Sequence, residues 1–585
     1  MTLLRRLLFG VVAGLPGGAV VALVTDPHPP WIQWAGHTAV LGAVLGLLFG
    51  GHRQSSGSAF SVGLLIGLLD WVAWTLTLAP ALDGDTPSWT IAVAVARFPQ
   101  LVGAALFGAI TGLVYHALWT WLPPRPATPR AKPHVVIVGG GFGGVGAARE
   151  LDRRIGRGLD AHVTLISDSN FLLFTPLLVG VASSTVEARH VSAPVRVGLD
   201  HASFLHGRVA SIDTQARSAY VSAGKEGMLR VPYDHLVLAV GGVPHFFDLP
   251  GVGEHAFPMK SVEDATVLRN QVLGALERAD LEPDPAEQAR LLTFVVAGGG
   301  FAGTELVAEL FDLVHDVLHL YPRLHGLRPR FVIVHAGERL LPELSPELGL
   351  YAQHKLGGRG IEFRLGARVS RATAEDITLD SGETIPTRTL AWTAGNRPNP
   401  LVRQVAQGTG APVAVEPTLQ VPGAPGLWAL GDCARIPDPA GGFYPPTAQH
   451  AIREGKAVAR NIAAVLGGRR PVPFRFGGLG VLVSLGHRTA AGEIGGRRVS
   501  GFLAWVLWRG VYLSKLPGVE KRLRVLADWT LDLVFPRDIA LSTTSTTSTA
   551  STVSTTSTTS TASTTSTAST APTVSKKKKE EGRHA

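Results

Sequence analysis

The chain has 585 residues, a net charge of +9 and one cysteine, Cys433, so several domains of roughly 150 residues each are expected. A disulfide framework, a CxxC redox pair and a Cys-rich zinc or iron–sulfur site are excluded, and no metal is expected. Charged residues make up only 17%, against about 25% in ordinary soluble proteins; with a mean hydropathy of +0.21, part of the chain is expected in membrane lipid, and nucleic acid is a poor partner for so scattered a positive charge.

Four apolar stretches, 7–24, 31–50, 59–78 and 98–122, open the chain and predict a four-helix transmembrane domain over 1–122. Arg5, Arg6, Arg53, Arg125, Arg130 and Lys132 fall on one side, and Asp26, Asp83 and Asp85 mark the other. The positive-inside rule then places both ends of this domain in the cytoplasm. Gly10, Gly14 and Gly18 recur every four residues, as do Gly42, Gly46 and Gly50, Gly63 and Gly67, and Gly108 and Gly112, giving each helix a small face for close packing. Asp70, in the third stretch, reads either as a structural partner of His37 or another polar group, or as a functional intramembrane acid.

A proline-rich linker, 123–133, leads into a buried-strand pattern, His134 to Val138, followed by Gly139, Gly141 and Gly144 in a GxGxxG turn before a helical segment expected from Val145. Gly139 permits the tight turn, Gly141 lets the backbone approach a pyrophosphate, and Gly144 lets the helix pack on the strand. The next strand ends at Ser167 where an acid is expected, with Asp168 one residue late. A second copy follows strand 292–297, with Gly298, Gly300 and Gly303 before a helix expected over 304–320. Its second strand, 331–334, ends at His335 where NAD-preferring sites carry an acid; His335 reads either as a surface residue or as a cofactor contact. Strand 426–430 ends in Gly431-Asp432, an aspartate able to accept from a sugar hydroxyl. Within the C-terminal region 481–541, segment 501–535 reads as an interfacial helix pair, or as a dimer interface or a cover for the core, and the Ser/Thr/Ala-rich tail 542–585 cannot bury apolar surface.

Further motifs complete the pattern: Phe171-Leu-Leu-Phe-Thr-Pro-Leu-Leu178, Tyr233-Asp-His-Leu-Val-Leu-Ala239, Gly251-Val-Gly-Glu-His-Ala-Phe257, Trp392-Thr-Ala-Gly395, Pro446-Thr-Ala-Gln449, Trp508-Arg-Gly-Val-Tyr-Leu-Ser-Lys-Leu516 and Phe535-Pro-Arg-Asp538. Over about residues 134–540 the chain resembles type II, non-proton-pumping NADH:quinone oxidoreductases. The resemblance implies an α/β fold with two Rossmann-like dinucleotide-binding domains, here preceded by an all-α transmembrane bundle. FAD would lie in 134–250 and 396–480, and a nicotinamide dinucleotide in 251–395. It implies that Thr175, Pro176, Gly241 and Gln449 line the flavin, that Gly395 belongs to the cofactor site and that Glu305 is the acid near the nicotinamide. Gln449, Arg453 and Glu305 are the candidate catalytic groups, although Arg453 stands where the family has a second glutamine, and Val240 replaces its usual threonine. The donor implied is NADH, with NADPH use left open because His335 does not repel a 2′-phosphate. The expected activity is hydride transfer from NADH to FAD and reduction of a membrane quinone, on the cytoplasmic side of the cell membrane. A reductase of a protein or soluble acceptor, and a nucleotide-sensing membrane protein, are the competing readings.

Overall fold

The computed structural model describes residues 2–25, 38–44, 46–47, 56–82, 84, 86, 89–121, 132–222, 227–405, 410–478 and 480–541. Most of the 123–133 linker, part of the 31–50 stretch including His37, and the tail lie outside the described residues.

The N-terminal region is helical: Thr2–Thr25, Ser56–Asp70 continuing through a π-helical segment, Trp71–Leu78, and Phe98–Trp121. Two stretches, Ser56–Ala81 and Phe98–Leu118, are long and apolar enough to cross a membrane, and Arg6–Gly18 is a shorter apolar helix. The glycine spacing becomes helix contact. A Cβ on Gly10 would collide with the carbonyl of Gly42 and one on Gly46 with that of Arg6; one on Gly63 would collide with the carbonyl of Gly108, and one on Gly112 with that of Ala59. Both seams run antiparallel, because ascending positions on one helix meet descending positions on the other. Backbones this close gain dispersion contacts that side chains would prevent. Arg97, just before the Phe98–Trp121 helix, bonds the Thr75 carbonyl, so the positive charges of this region are not confined to Arg5, Arg6, Arg53, Arg125, Arg130 and Lys132.

Two five-stranded parallel sheets follow. The first has the order Leu427–Ala429, His235–Leu238, His134–Val138, His162–Ser167, Ser203–His206. The second has the order Ala256–Pro258, Thr389–Trp392, Thr293–Ala297, Arg330–His335, Glu362–Leu365. Their central strands are buried on both faces, which is why they read as unbroken Val/Ile/Leu runs rather than alternating ones. The sheets match the two predicted Rossmann-like halves. The helices begin earlier than expected, at Phe142 and Phe301. Gly141 and Gly300 are extended N-caps, which puts Gly144 and Gly303 inside the first helical turn. The second helix ends at Val317, and 318–320 tighten into a 3₁₀ turn.

The C-terminal region is a three-stranded antiparallel sheet, Gly480–Ser484, Ala490–Ile494 and Arg497–Ser500, and two helices, Gly501–Lys515 and Val519–Leu531. Phe502, Leu503 and Val506 on the first helix, Leu523 and Leu526 on the second, and Leu533, Val534 and Phe535 beyond it are exposed. The Ser56–Asp70 helix packs against Val519–Leu531, so the apolar N-terminal helices and this exposed apolar surface belong to one side of the protein. Arg537, its side chain 9% exposed, closes the region. It donates to the carbonyls of Ser183 and Glu309 at 3.2 and 3.1 Å and pairs with Asp316 at 3.1 Å.

Candidate active site

The first glycine turn is built as its sequence requires. Gly139 has φ +113, closed to side chains, and a Cβ there would collide with the Ala239 carbonyl. A Cβ on Gly144 would strike the Gly139 carbonyl, whereas Gly141 faces open space. An open backbone at a helix N-terminus is the cradle a pyrophosphate needs, so this turn fits the adenine dinucleotide of FAD. Gly241, φ +65 and unobstructed, follows the neighbouring strand. Ser167 turns inward, its Oγ accepting from the Ser169 amide at 3.2 Å. Asp168 points outward to Arg208 at 3.4 Å.

Asp432 follows Gly431, whose φ of +69 makes the bend. Its Oδ2 accepts from Asn396 Nδ2 at 3.1 Å and lies 3.8 Å from Lys260 Nζ. Behind it, the buried carboxylate of Glu454 accepts from the Gly431 amide at 2.8 Å, and burial pushes its pKa up to about 7. A cavity of about 210 Å³ opens here, with Asp432, Glu454, Tyr444 and Thr447 in its wall. Lys260, Asn396 and Glu454 were not singled out in the sequence. Lys260 immediately precedes the Ser261–Asp264 capping box, which is the one local signal that could have drawn attention to it.

The second turn repeats the first: Gly298 has φ +116, and a Cβ on Gly303 would collide with the Gly298 carbonyl. His335 does not face outward. Its ring packs against Gly299, whose amide donates to Nδ1 at 3.1 Å, while Nε2 is buried and has no hydrogen-bond partner among the described residues. Burial lowers its pKa, so the ring is neutral near pH 7. Glu343, not Glu338, approaches the turn, its Oε1 lying 3.1 Å from a Cβ built on Gly300.

Between the two halves runs a line of aromatic contacts. Phe142, at the start of the first glycine-turn helix, meets Phe174 edge-on at 5.9 Å; Phe174 meets Tyr512 at 6.4 Å, and Tyr512 meets Trp508 at 4.8 Å. Trp508 reaches Glu305, whose Oε1 also accepts from the Ser484 amide at 2.9 Å. Burial pushes Glu305 up to about 8. Thr175 and Pro176 form the 3₁₀ turn directly after Phe174. Pro176 and Glu305 share a cavity of about 550 Å³ with Trp505, Trp508, Arg509 and, at its far side, Leu533 to Phe535.

Gln449 lies elsewhere. Its Nε2 donates to the Gly480 carbonyl at 3.3 Å, at the opposite end of strand Gly480–Ser484 from Glu305, roughly 13 Å away along the strand. Arg453 donates to the Gln449 carbonyl at 2.9 Å and lies over Phe476. The structure therefore separates Arg453 and Gln449 from Glu305. Gly395, φ +76, packs beneath Phe247 and His245.

Two parallel sheets, each with a glycine turn at a helix N-terminus, and a Gly-Asp bend after a strand of the first define a two-dinucleotide-domain flavoprotein. Residues 133–455 match the family described as pyridine nucleotide-disulphide oxidoreductase, and residues 479–538 match the NDH2 C-terminal domain. The chain belongs to the type II NADH:quinone oxidoreductase family, whose cofactors are FAD and NADH. It is 32% identical over 435 residues to the type II NADH:quinone oxidoreductase Ndh of Mycobacterium tuberculosis, covering 72% of this chain and 92% of that one. It is 31% identical over 408 residues to the demethylphylloquinone reductase NdbB of a Synechocystis species, covering 68% and 96%. The fold matches the Plasmodium falciparum NDH2 structure solved with NADH, at a TM-score of 0.66 and 19% identity over 70% of this chain and all of that one.

Proposed function

We propose that this chain oxidises NADH and reduces a membrane quinone through bound FAD, without pumping protons, and that it works on the cytoplasmic face of the cell membrane. The observation that carries this reading is the cavity joining Pro176 and Glu305 to Leu533, Val534 and Phe535, which offers a lipid-borne quinone a way inward from an exposed apolar rim. The turn at Gly139, Gly141 and Gly144 together with Asp432 would hold FAD, which would supply the two-electron chemistry between NADH and the quinone. The protein's part is geometric and protonic. The glycine turns bring two dinucleotides to facing edges, where near-attack distances of about 3 to 3.5 Å are needed. Trp508 and the Ser484 amide fix Glu305, and its raised pKa keeps a proton available near pH 7. That proton is needed: NADH supplies a hydride, whereas both quinone oxygens must become hydroxyls, so one proton comes from solvent.

In this reading Gln449 and Arg453 border the flavin edge, away from the Glu305 proton. The N-terminal helices form a four-helix anchor over 1–122, and the exposed face of 501–535 lies on the membrane or against a second copy of the chain. The test is spectroscopic: purified protein is titrated anaerobically with NADH and then with a short-chain quinone. Bleaching of the oxidised flavin band by NADH and its return on quinone addition are expected. Bleaching without return, together with turnover on a protein acceptor only, would sink the quinone assignment.

A further inference from the structure

Lys260, Asn396 and Asp432 come from three separate segments. Lys260 follows strand Ala256–Pro258 of the second sheet, Asn396 lies just past Thr389–Trp392 of that sheet, and Asp432 lies in the turn Gly431–Cys433 after strand Leu427–Ala429 of the first. They meet in a closed set of contacts. Asn396 Nδ2 donates to Asp432 Oδ2 at 3.1 Å, Lys260 Nζ donates to Asn396 Oδ1 at 3.3 Å, and the ammonium lies 3.8 Å from the same Asp432 oxygen.

Each member is held in place independently. The Lys260 backbone amide donates to Asp264 Oδ2 at 2.9 Å, inside the capping box that starts helix Val262–Leu281. Asn396 is seated over Gly242, where a Cβ would come within 2.5 Å of both of its amide atoms. Asp432 sits on the bend made by Gly431, which Glu454 anchors from behind. The Asn396 amide donates to Oδ2 and the Lys260 ammonium pairs with the same oxygen by charge, while Oδ1 accepts nothing from the described residues. A carboxylate so held is fixed in orientation, with one oxygen left over.

We propose that Lys260 and Asn396 are positioning residues for the flavin, holding Asp432 through Oδ2 so that Oδ1 faces the sugar-alcohol chain of FAD and locking the second sheet to the flavin site. This rests on the reading of Asp432 as a flavin contact. Its consequence is that flavin retention depends on residues of the nicotinamide-binding half. Two features separate this role from simple packing. The ammonium acts by charge on a partly exposed pair, so its effect must weaken with salt, and a guanidinium with the same charge must restore it.

The measurement is the release of FAD from the full-length holoenzyme on dilution, followed by the rise of free-flavin fluorescence at low and high sodium chloride. Lys260→Met is expected to release FAD roughly 1.5- to fivefold faster at low salt, the range open to a partly exposed charge pair, with the gap narrowing at high salt. Lys260→Arg should stay close to the parent protein. Asn396→Ala should also speed release, and Asn396→Asp more so, because it sets a second carboxylate beside Asp432. Asp432→Ala is the reference. If it speeds release while Lys260→Met and Asn396→Ala do not, the positioning role is wrong and the flavin contact stands. If Asp432→Ala is also unchanged, the flavin contact itself is what fails. An equal loss in Lys260→Met and Lys260→Arg, insensitive to salt, would overturn the charge-based role.

Discussion

Trp508 Nε1–H donates to Glu305 Oε1 at 3.1 Å. A residue of the C-terminal helices thereby orients the acid that stands on the second glycine-turn helix. Hydrogen bonds to Oε1 favour the carboxylate, but desolvation is the larger effect and leaves the pKa at about 8. Glu305→Gln should keep NADH binding and lower the rate of quinone reduction by roughly a hundredfold or more, the usual contribution of a general acid. In the parent enzyme the rate should fall as pH rises through about 8, where the proton is lost. Trp508→Phe removes a donor to the charged form, so this alkaline limb should move upward. Stability follows the same sign. Between the ordinary glutamate pKa and about 8 the folded state holds a proton that the unfolded state has shed, so stability declines across that window as pH rises. Glu305→Gln should flatten the decline in urea titrations at stepped pH, and an unchanged slope would mean that Glu305 is solvated.

FAD should be held without a covalent bond, since the glycine turn and Asp432 supply contacts but no attachment cysteine; Cys433 is fully buried. Acid precipitation should leave a colourless pellet and a yellow supernatant. Asp432→Ala should lower flavin occupancy, because a hydrogen bond to a charged group contributes about 1.5 to 3 kcal/mol. Full occupancy in that variant would remove Asp432 from the site.

His335 stands at the end of the strand where an acid would repel a 2′-phosphate. His335→Glu should therefore raise the ratio of kcat/KM for NADH over NADPH, by about threefold or more on the scale of one unfavourable charge. Because Nδ1 accepts from the Gly299 amide, His335→Gln, which also offers an acceptor, is the neutral control. A ratio that stays fixed in both variants would show that the ribose lies nearer Glu343.

The N-terminal helices should be separable from catalysis. A protein beginning at Lys132 should bind FAD, reduce a short-chain quinone with NADH and hold membranes less tightly. Gly63→Leu in the full chain forces a side chain into the Gly108 carbonyl and should disrupt helix pairing, read as loss of membrane retention at unchanged flavin content. If Asp70→Asn and the truncation both abolish quinone reduction, the N-terminal domain belongs to the active site.

Much of this was legible in sequence because backbone geometry leaves marks. Gly139, Gly144, Gly298 and Gly303 are glycines for steric reasons that any sequence must respect, and the four-residue glycine spacing marked the small faces, though not which helices they join, as Gly10 meets Gly42. What stayed hidden was long-range. Nothing near Asn396 announces that it bonds a residue 36 positions away, and the pairing of Trp508 with Glu305 spans 203. His335 was placed correctly at its strand end, yet its inward turn depends on the Gly299 amide, a partner set by the fold. Gln449, Arg453 and Glu305 were candidates by residue type and motif position alone, and their separation along strand Gly480–Ser484 is set by the fold.

Arg537 also fixes an order of events. It ties the C-terminal segment down, bonding Ser183, Glu309 and Asp316, all of which are made more than two hundred residues earlier in synthesis. Both dinucleotide cradles, the second sheet and the Glu305 helix are complete before it is added. The segment that closes one wall of the large cavity is therefore made after both glycine turns and the Glu305 helix.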